Sequence, residues 1–398
     1  MSEYGKLYSH KAYPRLREQV QERLGTERIE SDQTVRRRIY EVLCEESARN
    51  YINVRERAWL GQQIFNAIRG LDVLQPLVEN PAITEIMVNG PEFIYAEEEG
   101  AILRVPIQFE SRERLEDVIQ QIVGTVNRSV NEANPIVDAR LADGSWVNVI
   151  LPPVALNGPI LTIRKFRPQP VTIQEMIEWG TLTEEAADFL QMIVRRRYNI
   201  FVCGGTGAGK TTLLNVLSNF IPDHERIITI EDAAELRLSS LENVITLETR
   251  GGGVEGKGRI TIRELIRTSL RARPDRIIVG EVRGAEALDM LSAMNTGHEG
   301  SLSTGHANSA RDMISRLETM VLMGADLPLA AIRQQIASAL DIFIYISRFQ
   351  GGKRKITDIS QVKGVIDGQV DLDPLFEIRE GSLQRTNAKL LRQKEALK

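Results

Sequence analysis

The chain has 398 residues, 42% hydrophobic and 26% charged, ordinary for a globular protein and enough for two or three domains. Its 50 Lys and Arg stand against 54 Asp and Glu, a net charge of -4, which argues against a protein built overall to bind nucleic acid. Cys44 and Cys203 are the only cysteines, so a disulfide framework and a Cys-based metal site are excluded and a reducing compartment is favoured.

The opening stretch MSEYGKLYSHKAYPRLREQV has no apolar core after a basic start, so no signal peptide is expected. Residues 1–70 read as a helical segment: Val35, Ile39, Val42 and Leu43 recur at helix spacing, then Leu60, Ile64 and Ile68. Arg36, Arg37 and Arg38 read as a solvated helix edge or as a dock for an acidic partner or anionic lipid. Residues 71–165 read as an α+β domain. ITEIMVNG and FIYAE form a hairpin about an Asn-Gly turn, a helix follows Ser111, and WVNVIL and ILTIRKF supply two more strands. Two prolines in Phe166 to Thr172 mark a linker, 166–172.

From 173 to 398 the strands NIFVCG, RIITIE, VITLET, RIIVGE and SLST alternate with helices, which predicts an α/β domain with a mainly parallel sheet. Ile342 to Ile378 reads as strands and turns, and the last dozen residues as a frayed polar tail. The longest apolar run, Leu340 to Ile346, holds Asp341 and falls far short of the ~20 residues a membrane span needs.

Gly204-Gly205-Thr206-Gly207-Ala208-Gly209-Lys210-Thr211 fits G-x-x-x-x-G-K-[ST] between an apolar strand and a helix carrying Leu213, Leu214 and Leu217. This is a P-loop in its proper context. Its glycines let backbone N–H groups converge on phosphate oxygens at a helix N-terminus. Lys210 is then the partner of the β- and γ-phosphates and Thr211 a Mg²⁺ ligand, with Thr212 completing the nucleotide-binding run. Gly251, Gly253 and Gly256 also satisfy G-x-G-x-x-G, with Asp275 about 20 residues on. A second phosphate loop in one sheet is not expected, and the stretch reads as a mobile loop.

Ligands of open α/β sheets bind at the carboxyl ends of the strands. There the sequence places Glu231, Asp232 and Glu235, then Glu281, then His306. Acids at such points suit metal binding and water activation. His298 and His306 lack the further ligands a zinc site needs, so His306 reads as a γ-phosphate sensor or subunit contact. Arg263, Arg267 and Arg271 line one helix face, solvated or facing a neighbour's acids or phosphates. Arg140 and Arg164 lie near the linker, and Arg164 could point into a nucleotide cleft.

Together these motifs resemble the ATPases of the type II/type IV secretion superfamily, and among its branches the CpaF-like motors of tight-adherence (Flp-type) pili. The matching stretches are ITEIMVNGPE (83–92), DARLADGSWVNVILPP (138–153), LTIRKF (161–166), GGTGAGKTTLLN (204–215), ITIEDAAEL (228–236), RARPDRIIVGEVRG (271–284) and NTGHEGSLSTGHANS (295–309). The resemblance implies a RecA-like P-loop NTPase domain behind an α+β domain. It implies Walker A at Gly204 to Thr211, Glu231 holding Mg²⁺ partly through water, Glu281 as catalytic glutamate and His306 as the His-box histidine. Arg140 and Arg164 match arginines that approach the nucleotide phosphates from the N-terminal module, and Trp146 departs from an Arg found in many relatives.

The implied protein is a homo-hexameric ATP- and Mg²⁺-dependent motor. It is cytoplasmic, peripheral to the inner face of the membrane through platform proteins of a pilus or secretion machine, without direct nucleic acid, and hinged at Phe166 to Thr172. The rival readings are an ATPase of a type IV secretion or conjugation system, a nucleic-acid translocase and a nucleotide-gated scaffold.

Overall fold

The structure is a computed structural model that describes residues 12–25, 31–98, 100–126, 128–141, 143–165, 170–238, 240–250 and 258–394. It divides into two compact units, residues 1–167 and 168–398. Four of the residues assigned to the linker and the whole 251–257 glycine loop lie outside the described residues.

The first unit opens with three helices, α1 (Tyr13–Leu24), α2 (Asp32–Arg49) and α3 (Val54–Arg69). Leu16, Val20, Val35, Ile39, Leu60 and Ile64 form their shared core. The start of α2 is fixed by Ser31, whose side chain accepts from Thr34 N, and that of α3 by a reciprocal cap between Asn53 and Glu56. The arginine run is an exposed edge of α2, as its solvated-edge reading expects. Arg36 lies 3.8 Å over the Phe65 ring, and Arg37 and Arg38 pair with Glu41.

A short α4 (Gln75–Glu79) leads into β1 (Ile83–Asn89), β2 (Ile94–Glu98) and β3 (Ala101–Val105), then α5 (Arg112–Gly124), β4 (Ile136–Arg140), β5 (Trp146–Ile150) and β6 (Ile160–Arg164). The strands form an antiparallel sheet in the order β3-β2-β1-β6-β5-β4. One face closes on α5 through Leu115, Val118, Ile119 and Ile122. Strands β3 and β4 are additions to the sequence reading. Arg114 of α5 donates to the Ala67 carbonyl and to Asp72, and Arg17 pairs with Glu110 at 2.7 Å, which ties the helices to the sheet.

The second unit contains α6 (Ile173–Glu178), α7 (Glu184–Arg195), β7 (Ile200–Gly204), α8 (Lys210–Ser218), β8 (Ile227–Glu231), β9 (Val244–Glu248), α9 (Ile262–Ser269) and β10 (Arg276–Val279). It continues with α10 (Glu286–Asn295), β11 (Leu302–His306), α11 (Ala310–Gly324), α12 (Leu329–Ala339), β12 (Ile342–Arg348), β13 (Arg354–Ile366), β14 (Gln369–Arg379) and β15 (Ser382–Arg385). One sheet runs β15-β14-β13-β12-β7-β11-β10-β8-β9, parallel from β12 to β9 and antiparallel from β12 to β15. Strands β7, β8 and β10 are buried at every residue, as expected where helices cover both faces of a parallel sheet. Each apolar side chain buried this way contributes about 1.5–3 kcal/mol.

Two charged features hold this unit together. Arg276, fully buried at the start of β10, donates from Nε and Nη2 to Glu225 at 2.6 and 2.8 Å and from Nη1 to the Val194 carbonyl at 2.6 Å. Asp341, buried within the apolar run, accepts from Arg392 at 2.6 Å and Lys394 at 2.8 Å. This corrects the expectation of a frayed tail. Up to Lys394 the tail is tied down, with Leu391 N also donating to Gln361 Oε1 at 2.8 Å, because the buried Asp341 carboxylate needs cationic partners.

Candidate functional site

The buried strand β7 ends at Gly204, and α8 begins at Lys210 behind Gly209, which has φ 95° and offers no side-chain cap. The first-turn N–H groups of α8 thus face outward without a side-chain acceptor, the arrangement an anion can satisfy. Gly204 is required by close approach: a Cβ there would lie 2.2 Å from the Ile346 carbonyl oxygen of β12. Within the loop Ala208 is buried, Gly205 and Gly209 are half-buried, and Thr206 and Gly207 are exposed; Thr211 and Thr212 follow in the first turn of α8, half-buried.

Lys210 is buried. Its Nζ donates to the Gly205 carbonyl at 3.0 Å and lies 3.1 Å from His306 Nδ1. His306 ends β11, in register with Gly204. An ammonium has donors and no acceptor, so Nδ1 accepts and the proton of the neutral ring sits on Nε2. That nitrogen lies 2.9 Å from Glu281 Oε1. Desolvation by burial, reinforced by the Lys210 charge, lowers the His306 pKa against the opposing pull of Glu281, so the ring is neutral at neutral pH.

Glu281 follows β10 by two residues. Thr304 donates to the Gly280 carbonyl at 2.7 Å, and Val282 N to the Thr304 carbonyl at 2.9 Å, which pins this strand end to β11. Arg283 donates to Glu281 Oε2 at 2.8 Å. Glu281 Oε1 is buried and, despite the nearby imidazole, has no hydrogen bond of acceptable geometry. A buried carboxylate oxygen in that condition is costly to the fold and fits a site meant to receive a water or ligand.

Three of the expected residues, Lys210, His306 and Glu281, are therefore one contiguous chain of contacts. Glu231 is beside them but differently employed. Its buried carboxylate accepts from Glu235 N at 2.8 Å and Leu236 N at 3.2 Å, closing the loop after β8. The expected water-mediated hold on Mg²⁺ meets a carboxylate already serving backbone donors. Asp232 accepts from Thr249. Among the described residues no group of three or more His, Cys, Asp or Glu side chains could hold a metal ion. Mg²⁺ bound with a phosphate substrate takes its ligands largely from water and the phosphates; Thr211, the ligand expected from the motif, lies half-buried in the first turn of α8.

Arg140 and Arg164 belong to the first unit. Cross-strand pairing puts Arg140, Trp146, Arg164 and Glu85 in one row on the same sheet face. Arg263 and Arg267 both donate to Asp289, each at 2.7 Å, and so pair within their own unit. His298 is not joined to His306; its carbonyl accepts from Ser301 at 2.7 Å.

A profile of the type II/IV secretion system protein family matches residues 67–351. The chain belongs to this family. A putative conjugal transfer protein of Mycobacterium tuberculosis is 35% identical over 302 residues, spanning 74% of this chain and 85% of that one. The type IV secretion system protein PtlH of Bordetella pertussis is 33% identical over 317 residues, spanning 73% and 93%. The solved structure of the Legionella pneumophila ATPase DotB shares the fold, with a TM-score of 0.52 at 20% identity over 72% of this chain and 78% of that one. The fold of this secretion-family member is thus an α/β P-loop NTPase core behind helices and a separate sheet. The match says nothing particular to the tight-adherence branch.

Sequence reasoning missed Arg283, the second partner of Glu281, although it stands two residues away in GEVRG. A carboxylate at the end of a buried strand calls for a donor nearby, and Arg283 is the cation the sequence places closest to it.

Proposed function

We propose that this chain is the ATP-hydrolysing motor subunit of a type IV secretion or conjugation machine, assembled as a ring at the inner face of the cytoplasmic membrane. One observation carries the chemistry: Lys210, His306 and Glu281 meet at the mouth of the P-loop, and Glu281 Oε1 is buried without a hydrogen bond. Lys210 exchanges Gly205 and His306 for the β- and γ-phosphates, and the N–H groups at the start of α8 take phosphate oxygens. Mg²⁺, when bound beside Thr211, neutralises phosphate charge. Glu281 Oε1 accepts a proton from the attacking water while Arg283 keeps the carboxylate aimed. The water oxygen bonds to the γ-phosphorus as the bond to the β–γ bridging oxygen breaks.

Neutral His306, released by Lys210, turns its Nε2–H toward the γ-phosphate and reports its loss. Contacts that differ between nucleotide states are what can move one part of the machine against another. Arg140 and Arg164 carry the role their resemblance implies, supplying positive charge to a nucleotide in the assembled ring.

The type of machine rests on the relatives, whose names speak of conjugal transfer and type IV secretion at 33–35% identity. The tight-adherence pilus is the second reading, supported by the motif set across the chain. Among the described residues no helix is long and apolar enough to cross a membrane, in keeping with attachment through partners. Crosslinked capture of the Glu281→Gln form from native cells with ATP present separates the two. Recovery of type IV secretion or conjugation components supports the proposal; recovery of pilin-like subunits with a polytopic platform protein overturns it in favour of the pilus.

A further inference from the structure

The P-loop strand β7 has two neighbours. On one side β11 brings His306, and beyond it β10 leads to Glu281. On the other side lies β12, whose Ile346 pairs with the same Gly204, and beyond it β13. Strands β12 and β13 form a hairpin in which Arg348 is directly opposite Arg354. It turns through Gly351 and Gly352, with φ of 76° and 78°.

Both arginines lie against the P-loop backbone. Arg354 Nε donates to the Gly207 carbonyl at 3.0 Å, and a Cβ on Gly209 would stand 3.2 Å from Arg354 Cδ. A Cβ on Gly207 would stand 3.4 Å from Arg348 Nη1. A loop whose N–H groups converge inward on phosphate must turn carbonyls outward, and an outward carbonyl needs a donor. For Gly207 that donor is a guanidinium from β13, which is held to β7 through β12. The family match ends at residue 351, so Arg354 lies beyond it.

The terminal phosphates of a nucleotide are claimed on the β11 side by Lys210, His306 and Glu281. The molecule is long, and its nucleoside end has to leave on the other side of the loop. We infer that the β12–β13 hairpin is the nucleoside-side clamp of this site: Arg354 positions Gly207, and Arg348 lays its guanidinium on the purine face. The inference rests on the ATPase reading above. A planar guanidinium suits such stacking, and its place one strand beyond β7 leaves the phosphate subsites to the loop itself.

The test is calorimetric binding of Mg–ATP, Mg–ADP and inorganic tripolyphosphate to the full chain, with steady-state hydrolysis alongside. Arg348→Ala weakens ATP and ADP about tenfold, raises KM, leaves kcat nearly unchanged, and leaves tripolyphosphate within about twofold of wild type. Arg354→Ala weakens all three ligands, because it acts through the loop, and Arg354→Lys restores part of the loss. Unchanged thermal unfolding of the nucleotide-free variants confirms that they are folded. Wild-type ATP affinity in Arg348→Ala overturns the clamp, as does an equal loss for tripolyphosphate. Wild-type protein that binds neither ATP nor tripolyphosphate overturns the ATPase reading itself.

Discussion

Strand β10 has a charge cluster at each end, one buried and one half-exposed, and the two are built to opposite rules. At its amino end Arg276 spends its donors on Glu225, Val194 and Gly300, and Arg197 adds a second cation to Glu225 at 3.2 Å. At its carboxyl end Glu281 Oε1 has no hydrogen bond, and Lys210 leans on its own loop's carbonyl and a neutral imidazole. The first cluster is closed and can only be broken. The second is held in a form that a polyanion and a water would complete. These two clusters share residue types and differ in how far their hydrogen bonds are completed.

The largest effect is expected at the open end. Lys210→Ala is expected to lower ATP turnover by about 10²–10⁴-fold, measured as Mg-dependent phosphate release, while the denaturation midpoint of the apo protein holds or rises. A marked loss of stability instead would make Lys210 part of the scaffold. At the closed end the signs reverse. Arg276→Met leaves Glu225 buried with one partner fewer and is expected to cost about 3–5 kcal/mol in denaturant unfolding. The ATP affinity of the folded fraction stays at the wild-type level. Adding Glu225→Leu recovers most of the loss, since the charge to be compensated is gone.

Smaller effects sharpen the contrast through pH. His306 has its pKa lowered by burial and by Lys210. Protonation therefore sets a second cation against Lys210, and kcat/KM falls on the acid side of neutrality. For stability the folded state binds fewer protons than the unfolded one, so the contribution is full above the unfolded pKa of about 6.5. It is lost as pH falls through the lowered folded value. His306→Asn removes that acid limb; an unchanged profile would assign it elsewhere.

Asp358 on β13 is the mildest case, an acid pushed up to about 6 chiefly by desolvation, with Ser360 donating to it at 2.9 Å. Its folded pKa is raised, so the protein is penalised at high pH and relieved as pH falls from about 6 toward 4. Asp358→Asn should stabilise the protein by about 1–2 kcal/mol at pH 8 and by nothing at pH 4, without altering turnover. A loss of turnover would show that this acid also serves the site.

Much of this was legible in the sequence, for identifiable reasons. The P-loop has fixed spacing between an apolar strand and a helix, and Glu281 and His306 stand where parallel strands run out. What escaped depends on pairing. Strand β3 shows four exposed residues in five, and β4 buries only Ala139 of its five, so neither bears a core pattern; each exists because a neighbouring strand offers a partner edge. Arg276 opens the strand RIIVGE, and nothing in the local sequence says that Glu225, 51 residues upstream, is its partner. Gly351 and Gly352 read as a turn, with nothing to say that the flanking arginines reach back to Gly207. The polar tail looked loose because its anchor, Asp341, lies about 50 residues upstream.

The most direct test of the ATPase site is a paired measurement on Glu281→Gln: ATP affinity at equilibrium and Mg-dependent turnover at saturation. ATP affinity within about threefold of wild type, together with turnover reduced by about 10²-fold or more, is the predicted result. Turnover near the wild-type rate would contradict it and remove Glu281 as the base.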